Sequence, residues 1–127
     1  MASGIVYVAG RYTGGTPAEV DGYIGQARQL MAELVRRGYT VICPHSNFAH
    51  FERILPEIPY GVWLEHCFRL INVCSAVVVH PNWVHSSGAK REVAYARGQG
   101  KAVYLSRHVD GAWAFRRLGE REWRSRL

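Results

Sequence analysis

The amino-acid sequence predicts an α/β fold with a parallel sheet of four or five strands. Short apolar runs, which are typical of buried parallel strands, alternate along the chain with longer segments that have helical periodicity. Strands that alternate with helices in this way form parallel sheets with right-handed crossovers. The length of 127 residues therefore predicts one domain over residues 1–127, doubly wound in the Rossmann-like or flavodoxin-like manner.

The first third of the chain predicts two strands and one long helix. Residues 5–9 form an apolar run that predicts the first strand. Residues 16–19 fit a capping box with proline at the first helical position, and Gly38 suits the left-handed residue that ends a helix. Residues 40–43 predict the second strand, which Pro44 ends.

The remainder predicts one long loop, three helices and two further strands. Residues 45–60 form the longest irregular stretch, and loops of this length in small domains are usually functional. The next predicted elements are a helix over 61–73, a third strand over 76–80, a helix that ends near Gly98 and a fourth strand over 102–105. The last is a basic helix over about residues 110–127, which Asp110 caps and which holds Trp113, Phe115 and Leu118.

The charge of the chain indicates an anionic ligand. The formal net charge is +6, and arginine, which suits bidentate phosphate recognition, supplies nearly all of the basic side chains. Such a balance permits nucleic acid or a small anionic substrate. Because much of the excess lies in residues 116–126 and no nucleic-acid-binding motif is visible, a nucleic-acid partner is not expected.

The cysteines and the apolar runs indicate a cytoplasmic protein. Three scattered cysteines do not form a disulfide framework. No apolar run approaches the roughly 18–20 residues that span a membrane, and the start of the chain has no visible signal peptide. No metal and no other cofactor is expected, because structural-zinc spacing is absent among Cys43, His45, His50, His66 and Cys67.

The stretch from Ser86 to Glu92 is the clearest candidate for a site. It joins a buried strand to a helix N-terminus, where unpaired N–H groups and the helix dipole hold anions. Ser86 or Ser87 can cap the helix and offer a hydroxyl to a phosphate, and Gly88 lets a ligand approach the backbone. Glu92 has no basic side chain three or four residues away, which favours a functional carboxylate over the alternative of a surface glutamate.

Loops after three strands are expected to surround this stretch. Ligands of parallel sheets bind beyond the carboxyl ends of the strands, and the loops there are residues 10–13, 44–47 and 81–87. Arg11 is expected to contact a phosphate or to form an ion pair, and Trp83 to stack on a ligand or to pack beneath the loop. The substrate-binding candidates are Gly10, Arg11, Tyr12, His45, Asn82, Trp83, Ser86, Ser87 and Gly88.

Three segments in a fixed order, residues 6–12, 38–41 and 87–92, resemble the nucleoside 2-deoxyribosyltransferase superfamily. The resemblance covers about residues 5–105, and the pairs Pro44-His45 and Asn82-Trp83 are similar to its small phage and bacterial branch. It implies a Rossmann-like fold and cleavage of the N-glycosidic bond of a nucleoside or nucleotide. It also implies a homo-oligomer in which a neighbouring chain completes the site.

The resemblance assigns roles to particular residues. It implies that Glu92 attacks C1′ and forms a glycosyl-enzyme intermediate, which water or a second base resolves. It implies that the turn from Ser86 to Gly88 holds a 5′-phosphate and that residues 10–12 line the sugar and base pocket. A glutamate near its ordinary pKa of about 4.3 is ionised at neutral pH, as this attack requires.

The chain departs from the superfamily at the general acid that protonates the leaving base. Active members carry aspartates before and at the start of the third strand, where this chain has Cys67 and Ser75. Candidate replacements are His45, Glu65 and His66. Two alternatives stay open: a substrate with a good leaving group, and a protein that binds a nucleotide without cleaving it. The sequence does not identify the base or the sugar, or distinguish hydrolysis from transfer.

Overall fold

A computed structural model describes residues 4–125 as one five-stranded sheet with helices on both faces. The strands are β1 (Ile5–Ala9), β2 (Thr40–Ile42), β3 (Ala76–Val79), β4 (Ala102–Val109) and β5 (Ala112–Arg117). The helices are α1 (Pro17–Arg36), α2 (Pro44–Asn47), α3 (Phe51–Ile54), α4 (Tyr60–Asn72), α5 (Ser87–Gly98) and α6 (Glu120–Ser125), and a 3₁₀ turn spans Pro81–His85. None of the described helices is long and apolar enough to cross a membrane.

The strand order is β2-β1-β3-β4-β5, and the first four strands are parallel. This confirms the predicted α/β, Rossmann-like fold. The order has the flavodoxin-like arrangement, in which the connections leave β1 and β3 in opposite directions along the sheet. The carboxyl ends of β1 and β3 therefore bound a crevice where a ligand can lie.

The sheet is buried on both faces, which explains why its central strands are continuously apolar. Val6 and Val8 of β1 pack with α1 on one face. Tyr7 and Ala9 point to the other face, where they pack with residues of α4 and α5. This second face holds the one polar side-chain atom of β1, the Tyr7 hydroxyl.

The predicted basic helix over residues 110–127 is wrong over most of its length. Residues 112–117 form β5, which pairs antiparallel with β4, so that the sheet is mixed rather than wholly parallel. Asp110 and Gly111 have φ values of 54° and 77°, the two positive values that a tight hairpin turn requires and that Asp-Gly readily adopts. Only Glu120–Ser125 is helical here, and residues 126–127 lie outside the described part of the chain.

The segment predicted as a long irregular loop contains the two short helices α2 and α3. His50 stands between them with a φ of 60°. The segment crosses the carboxyl end of the sheet and forms one wall of a pocket.

Candidate active site

A pocket of about 700 Å³ opens at the carboxyl end of the sheet. The loops after β1, β2 and β3 all line it, together with α3 and α4. Of the ten candidate site residues from the sequence, eight line the pocket: Gly10, Arg11, Tyr12, His45, Ser86, Ser87, Gly88 and Glu92. The fold thus brings three separated stretches of sequence to one place.

The N-terminus of α5 forms one side of the pocket. The Ser86 hydroxyl caps the helix and accepts a hydrogen bond from the Ala89 N–H at 3.0 Å. The N–H groups of Ser87 and Gly88 have no carbonyl in the preceding turn and remain available to an anion. A methyl group added at Gly88 would lie 2.6 Å from the Tyr60 hydroxyl oxygen, so any larger residue there has to displace the exposed Tyr60 side chain.

Glu92 lies one helical turn further along α5 and is only partly exposed. Burial raises the pKa of its carboxyl to about 7, although the nearby Tyr7 hydroxyl favours the charged form. The expectation of an ordinary glutamate pKa is therefore wrong, because the sequence does not reveal how fully the pocket walls remove water from the carboxyl. Among the described residues, Glu92 forms no ion pair.

Tyr7 is a polar neighbour of Glu92 that sequence reasoning missed. Its side chain is 0% exposed, and its hydroxyl makes no hydrogen bond of ordinary length within the described residues. Burial raises the pKa of Tyr7 well above its usual value, and the adjacent Glu92 and Cys67 raise it further. The sequence did contain a signal for this contact, namely a tyrosine within an apolar strand. A buried tyrosine hydroxyl needs a polar partner, so its presence indicates a polar group nearby.

The two departures from the superfamily pattern lie in different places. Cys67 lines the pocket beside Glu92, and burial raises the pKa of its thiol to about 12. Ser75 lies at the amino end of the sheet, where its hydroxyl donates to the Ile5 carbonyl oxygen at 3.0 Å. Neither side chain supplies a proton readily at neutral pH, and only Cys67 is near the pocket.

The three candidate replacements for the general acid all interact with other groups of the protein. His45 is buried, and its Nε2–H donates to the Arg11 carbonyl oxygen at 2.8 Å, while burial lowers the pKa of its ring. Glu65 pairs with Arg69 at 3.0 Å on the exposed side of α4. His66 lies in a contact of 2.9 Å between Nδ1 and the Val62 carbonyl oxygen. Neither Glu65 nor His66 lines the pocket.

Tyr12 fastens the α2–α3 segment over the pocket. Its hydroxyl accepts a hydrogen bond from the His50 N–H at 2.8 Å and donates to the Glu52 carboxylate at 2.9 Å. Burial raises the pKa of the Tyr12 phenol to about 12. The His50 ring also contacts Asp21 of α1 at 2.6 Å, so this segment is tied both to the loop after β1 and to α1.

An aromatic wall, formed by Phe48, Phe51, Tyr60 and Trp63, lines the pocket on the side of α2–α4. The ring centroids of Phe48 and Trp63 lie 5.7 Å apart, and those of Phe51 and Trp63 lie 6.1 Å apart. Sequence reasoning missed Trp63 as a pocket residue, because a helical pattern of apolar residues does not distinguish a core position from a pocket wall. The planes of the rings meet at 48° and 88°, so a planar base can stack on one ring at a time while the others border it.

The remaining candidates position the loop after β1. Asn82 accepts a hydrogen bond from the Arg11 N–H and donates one to Gln26, both at 2.8 Å. Trp83 is 2% exposed and packs nearly parallel to Trp123, with ring centroids 6.4 Å apart. Neither Asn82 nor Trp83 lines the pocket, so Trp83 packs beneath the loop rather than against a ligand.

Arg11 is at the edge of the pocket and has no ion-pair partner among the described residues. Its guanidinium carbon lies 4.8 Å from the centroid of the Tyr23 ring. The ring holds the side chain without neutralising its charge. Arg11 therefore retains a positive charge that an anionic ligand can use.

The described residues contain no group of three or more His, Cys, Asp or Glu side chains that could hold a metal ion. A search of curated proteins found no match. Residues 5–105, which are most of the chain, match the family described as "Domain of unknown function (DUF4406)". The chain is therefore a member of the DUF4406 family.

Proposed function

We propose that this protein cleaves the N-glycosidic bond of a nucleoside or nucleotide, with Glu92 as the nucleophile. This is the reaction implied by the resemblance to the nucleoside 2-deoxyribosyltransferase superfamily. The observation that carries the proposal is a carboxyl without an ion-pair partner among the described residues, in a pocket that also contains a helix N-terminus. Perturbed carboxyls in clefts are characteristic of catalytic sites.

The spacing along α5 suits a phosphorylated sugar. The helix rises about 1.5 Å per residue, so Glu92 lies about 6 Å along the axis from Gly88. A 5′-phosphate bound by the N–H groups of Ser87 and Gly88 would direct its sugar along this turn, with C1′ toward Glu92. Arg11 is available to the same phosphate from the loop after β1.

The reaction needs an ionised carboxylate at the moment of attack. A carboxylate oxygen of Glu92 forms a bond to C1′ as the C1′–N bond breaks, and the base leaves with the electron pair of that bond. Water or a second base then attacks C1′ and releases the carboxylate. The Tyr7 hydroxyl is the neighbouring group that favours the charged form of Glu92, so it helps to keep the nucleophile ionised.

A second candidate function is nucleotide binding without cleavage. It is favoured because protonatable side chains in the pocket either have a raised pKa or are already hydrogen-bonded. The pKa values of Cys67 and Tyr12 are both raised to about 12, and His45 is engaged by the Arg11 carbonyl oxygen. A pocket with these groups binds a nucleotide but protonates a departing base poorly.

The substitution Glu92→Gln separates the two functions, because it keeps the size of the side chain and removes the attacking charge. If Glu92 is the nucleophile, base release measured by chromatography falls by several orders of magnitude, on the order of 10³ or more. Nucleotide affinity measured by calorimetry persists or rises, because an amide does not repel a phosphorylated ligand.

Glu65→Gln is the matched control, because it makes the same change on an exposed face of α4 away from the pocket. It should leave both base release and affinity unchanged. Wild-type turnover that survives Glu92→Gln would remove Glu92 from the mechanism. Nucleotide binding with no base release from any nucleoside or nucleotide would establish the second function instead.

A further inference from the structure

Resting on the proposed function, we infer that the base of the substrate already carries a positive charge before cleavage. The substrate class is a nucleoside or nucleotide with a quaternised base, either an N-glycosyl pyridinium or a purine alkylated on its ring. Three features of the pocket support this inference: its protonatable side chains, its aromatic wall and the environment of Glu92.

The first feature concerns the departure of the base. A neutral purine or pyrimidine leaves C1′ with an extra electron pair and needs a proton from a general acid. A cationic base accepts the same electron pair and leaves as a neutral molecule, so no acid is required. The pocket is suited to the second case if its side chains do not donate protons.

The protonatable side chains that line the pocket are mostly engaged or hold their protons tightly. The Tyr12 hydroxyl already donates to Glu52 at 2.9 Å, and the Nε2–H of His45 donates to a backbone carbonyl at 2.8 Å. Burial raises the pKa of the Cys67 thiol to about 12. His85 is exposed and directly precedes Ser86, so its backbone lies beside the turn proposed to hold the phosphate.

The second feature is the aromatic wall. Its rings carry negative charge on their faces and attract a cation that lies over them, and Trp gives the strongest attraction. Phe48, Phe51 and Trp63 are mutually in contact, with centroid separations from 5.6 to 6.1 Å. Their planes meet at 48° to 88°, so a bound base can lie over the face of one ring, such as Trp63, while the others border it. The same wall gives a neutral base only stacking, whereas a cationic base gains stacking and electrostatic attraction together.

The third feature is the lack of an ion-pair partner for Glu92 among the described residues. A buried carboxylate is costly without an opposite charge nearby, and a neighbouring cation favours its ionised form. A cationic base attached to C1′ supplies that charge when the substrate binds. The substrate thus ionises the nucleophile that attacks it, and the charge disappears when the base departs.

The reaction balances without a general acid. The Glu92 carboxylate forms an ester bond to C1′, the C1′–N bond breaks, and its electron pair neutralises the cationic ring. Water then adds its oxygen to C1′, the carboxylate leaves with the electron pair of the ester bond, and one proton passes to solvent. The products are the free sugar or sugar phosphate, the neutral base and one proton.

The test compares substrates that differ in the charge of the base. 7-Methylguanosine 5′-monophosphate and GMP differ by one methyl group and one positive charge, and nicotinamide mononucleotide and AMP are a second pair. Base release is followed by chromatography and corrected for release without protein. Because a general acid contributes about 10²–10⁴-fold to such reactions, we expect kcat/KM to be at least about 100-fold higher for each cationic substrate.

The outcomes distinguish the inference from the proposed function. An enzyme with a working general acid protonates the neutral base of GMP as that base leaves. Such an enzyme therefore shows a smaller ratio of kcat/KM between the cationic and the neutral substrate. Release of guanine from GMP within tenfold of release of 7-methylguanine would therefore overturn the inference while the proposed function stood. Release from none of the four substrates would overturn both.

Substitutions in α4 test the contribution of the aromatic wall. Trp63→Leu should raise KM roughly tenfold for 7-methylguanosine 5′-monophosphate and much less for GMP, because it removes a cation–π face. The control is Phe68→Leu, since Phe68 stacks on Tyr95 at 4.3 Å and does not line the pocket. Equal effects of Trp63→Leu on the two substrates would contradict a cation-binding wall.

Discussion

Replacing Glu92 should stabilise the protein at high pH and not at low pH. Burial raises the pKa of this carboxyl to about 7 in the folded chain, whereas it is about 4.3 in an unfolded chain. Between these values the folded chain keeps a proton that the unfolded chain has released. Stability therefore falls as the pH rises through this range, and the loss is complete above about pH 7.

The magnitude follows from the two pKa values. The two pKa values differ by about 2.7, which corresponds to about 3.7 kcal/mol, and about 2.6 kcal/mol of this develops between pH 5 and pH 8.5. Because Glu92 keeps some contact with solvent through the pocket, we expect about 2 kcal/mol. The glutamine of Glu92→Gln does not ionise, so the variant does not lose this stability as the pH rises. From pH 5 to pH 8.5, the unfolding free energy of the variant should therefore rise by about 2 kcal/mol relative to that of the wild type.

Comparison with the wild type isolates Glu92 from the other titrating groups. The titratable groups near it are Tyr7 of β1, Tyr60 and Cys67 of α4, and Cys43 at the end of β2, and the pKa of each is raised. None of them ionises between pH 5 and 8.5, and histidines common to both proteins cancel. Glu65→Gln is the control and should change stability by less than about 0.5 kcal/mol at either pH, as expected for an exposed ion pair.

The assay is thermal or urea unfolding of the three proteins at both pH values. The expected gain at pH 8.5 corresponds to roughly 8 °C in Tm. A difference between Glu92→Gln and wild type that is the same at pH 5 and pH 8.5 would refute a carboxyl with a raised pKa. A difference that moves against the variant as the pH rises would show instead that a cation neutralises Glu92.

Three further predictions address the pocket and the assembly. With a neutral substrate, kcat/KM should rise with pH through about 7 as Glu92 ionises, and a profile that is flat from pH 5 to 9 would contradict this. Gly88→Ala should weaken nucleotide binding measured by calorimetry, because its methyl group displaces the Tyr60 hydroxyl. Adding Tyr60→Phe should restore part of the affinity, and Gly61→Ala, which meets no atom within 4 Å, should have no effect. The chain should form a homo-oligomer at micromolar concentration, and light scattering that gives only a monomer would reject this.

Periodicity predicted the elements whose burial pattern is regular. The apolar runs of β1 and β3 are continuous in sequence, and the buried residues of α1 and α5 recur at helical spacing, so each element could be recognised without its neighbours. The Asp110-Gly111 hairpin was missed although its signal is local. Asp110 suits a helix cap as well as a turn, and the alternation of Trp113 and Phe115, which is typical of a strand, decides between them.

The chemistry of the site was harder to predict from the sequence than the fold, because it depends on contacts between segments that are distant in the chain. Ser86 to Gly88 could be predicted as an anion-binding turn, since strand, cap and helix are adjacent in sequence. The raised pKa of Glu92 could not, because β1 and α4 contribute to the environment that desolvates it. The aromatic wall depends on how α2, α3 and α4 are arranged, and that arrangement depends on the hydrogen bonds of Tyr12 to the α2–α3 segment.

The thiol of Cys67 bears on two proposals: the lack of a general acid for the leaving base, and the positive charge of that base. An aspartate at this position would place a second carboxyl beside Glu92, and like charges at that distance raise one pKa and lower the other. Such a pair can divide the roles of acid and nucleophile. With a neutral thiol there instead, Glu92 is the carboxyl beside the buried Tyr7 hydroxyl, and within the described part of the chain it has no ion-pair partner and no second carboxyl that could protonate the base in the proposed reaction. A base that is already cationic supplies both requirements at once, since it departs without a proton and pairs with the carboxylate until it does so.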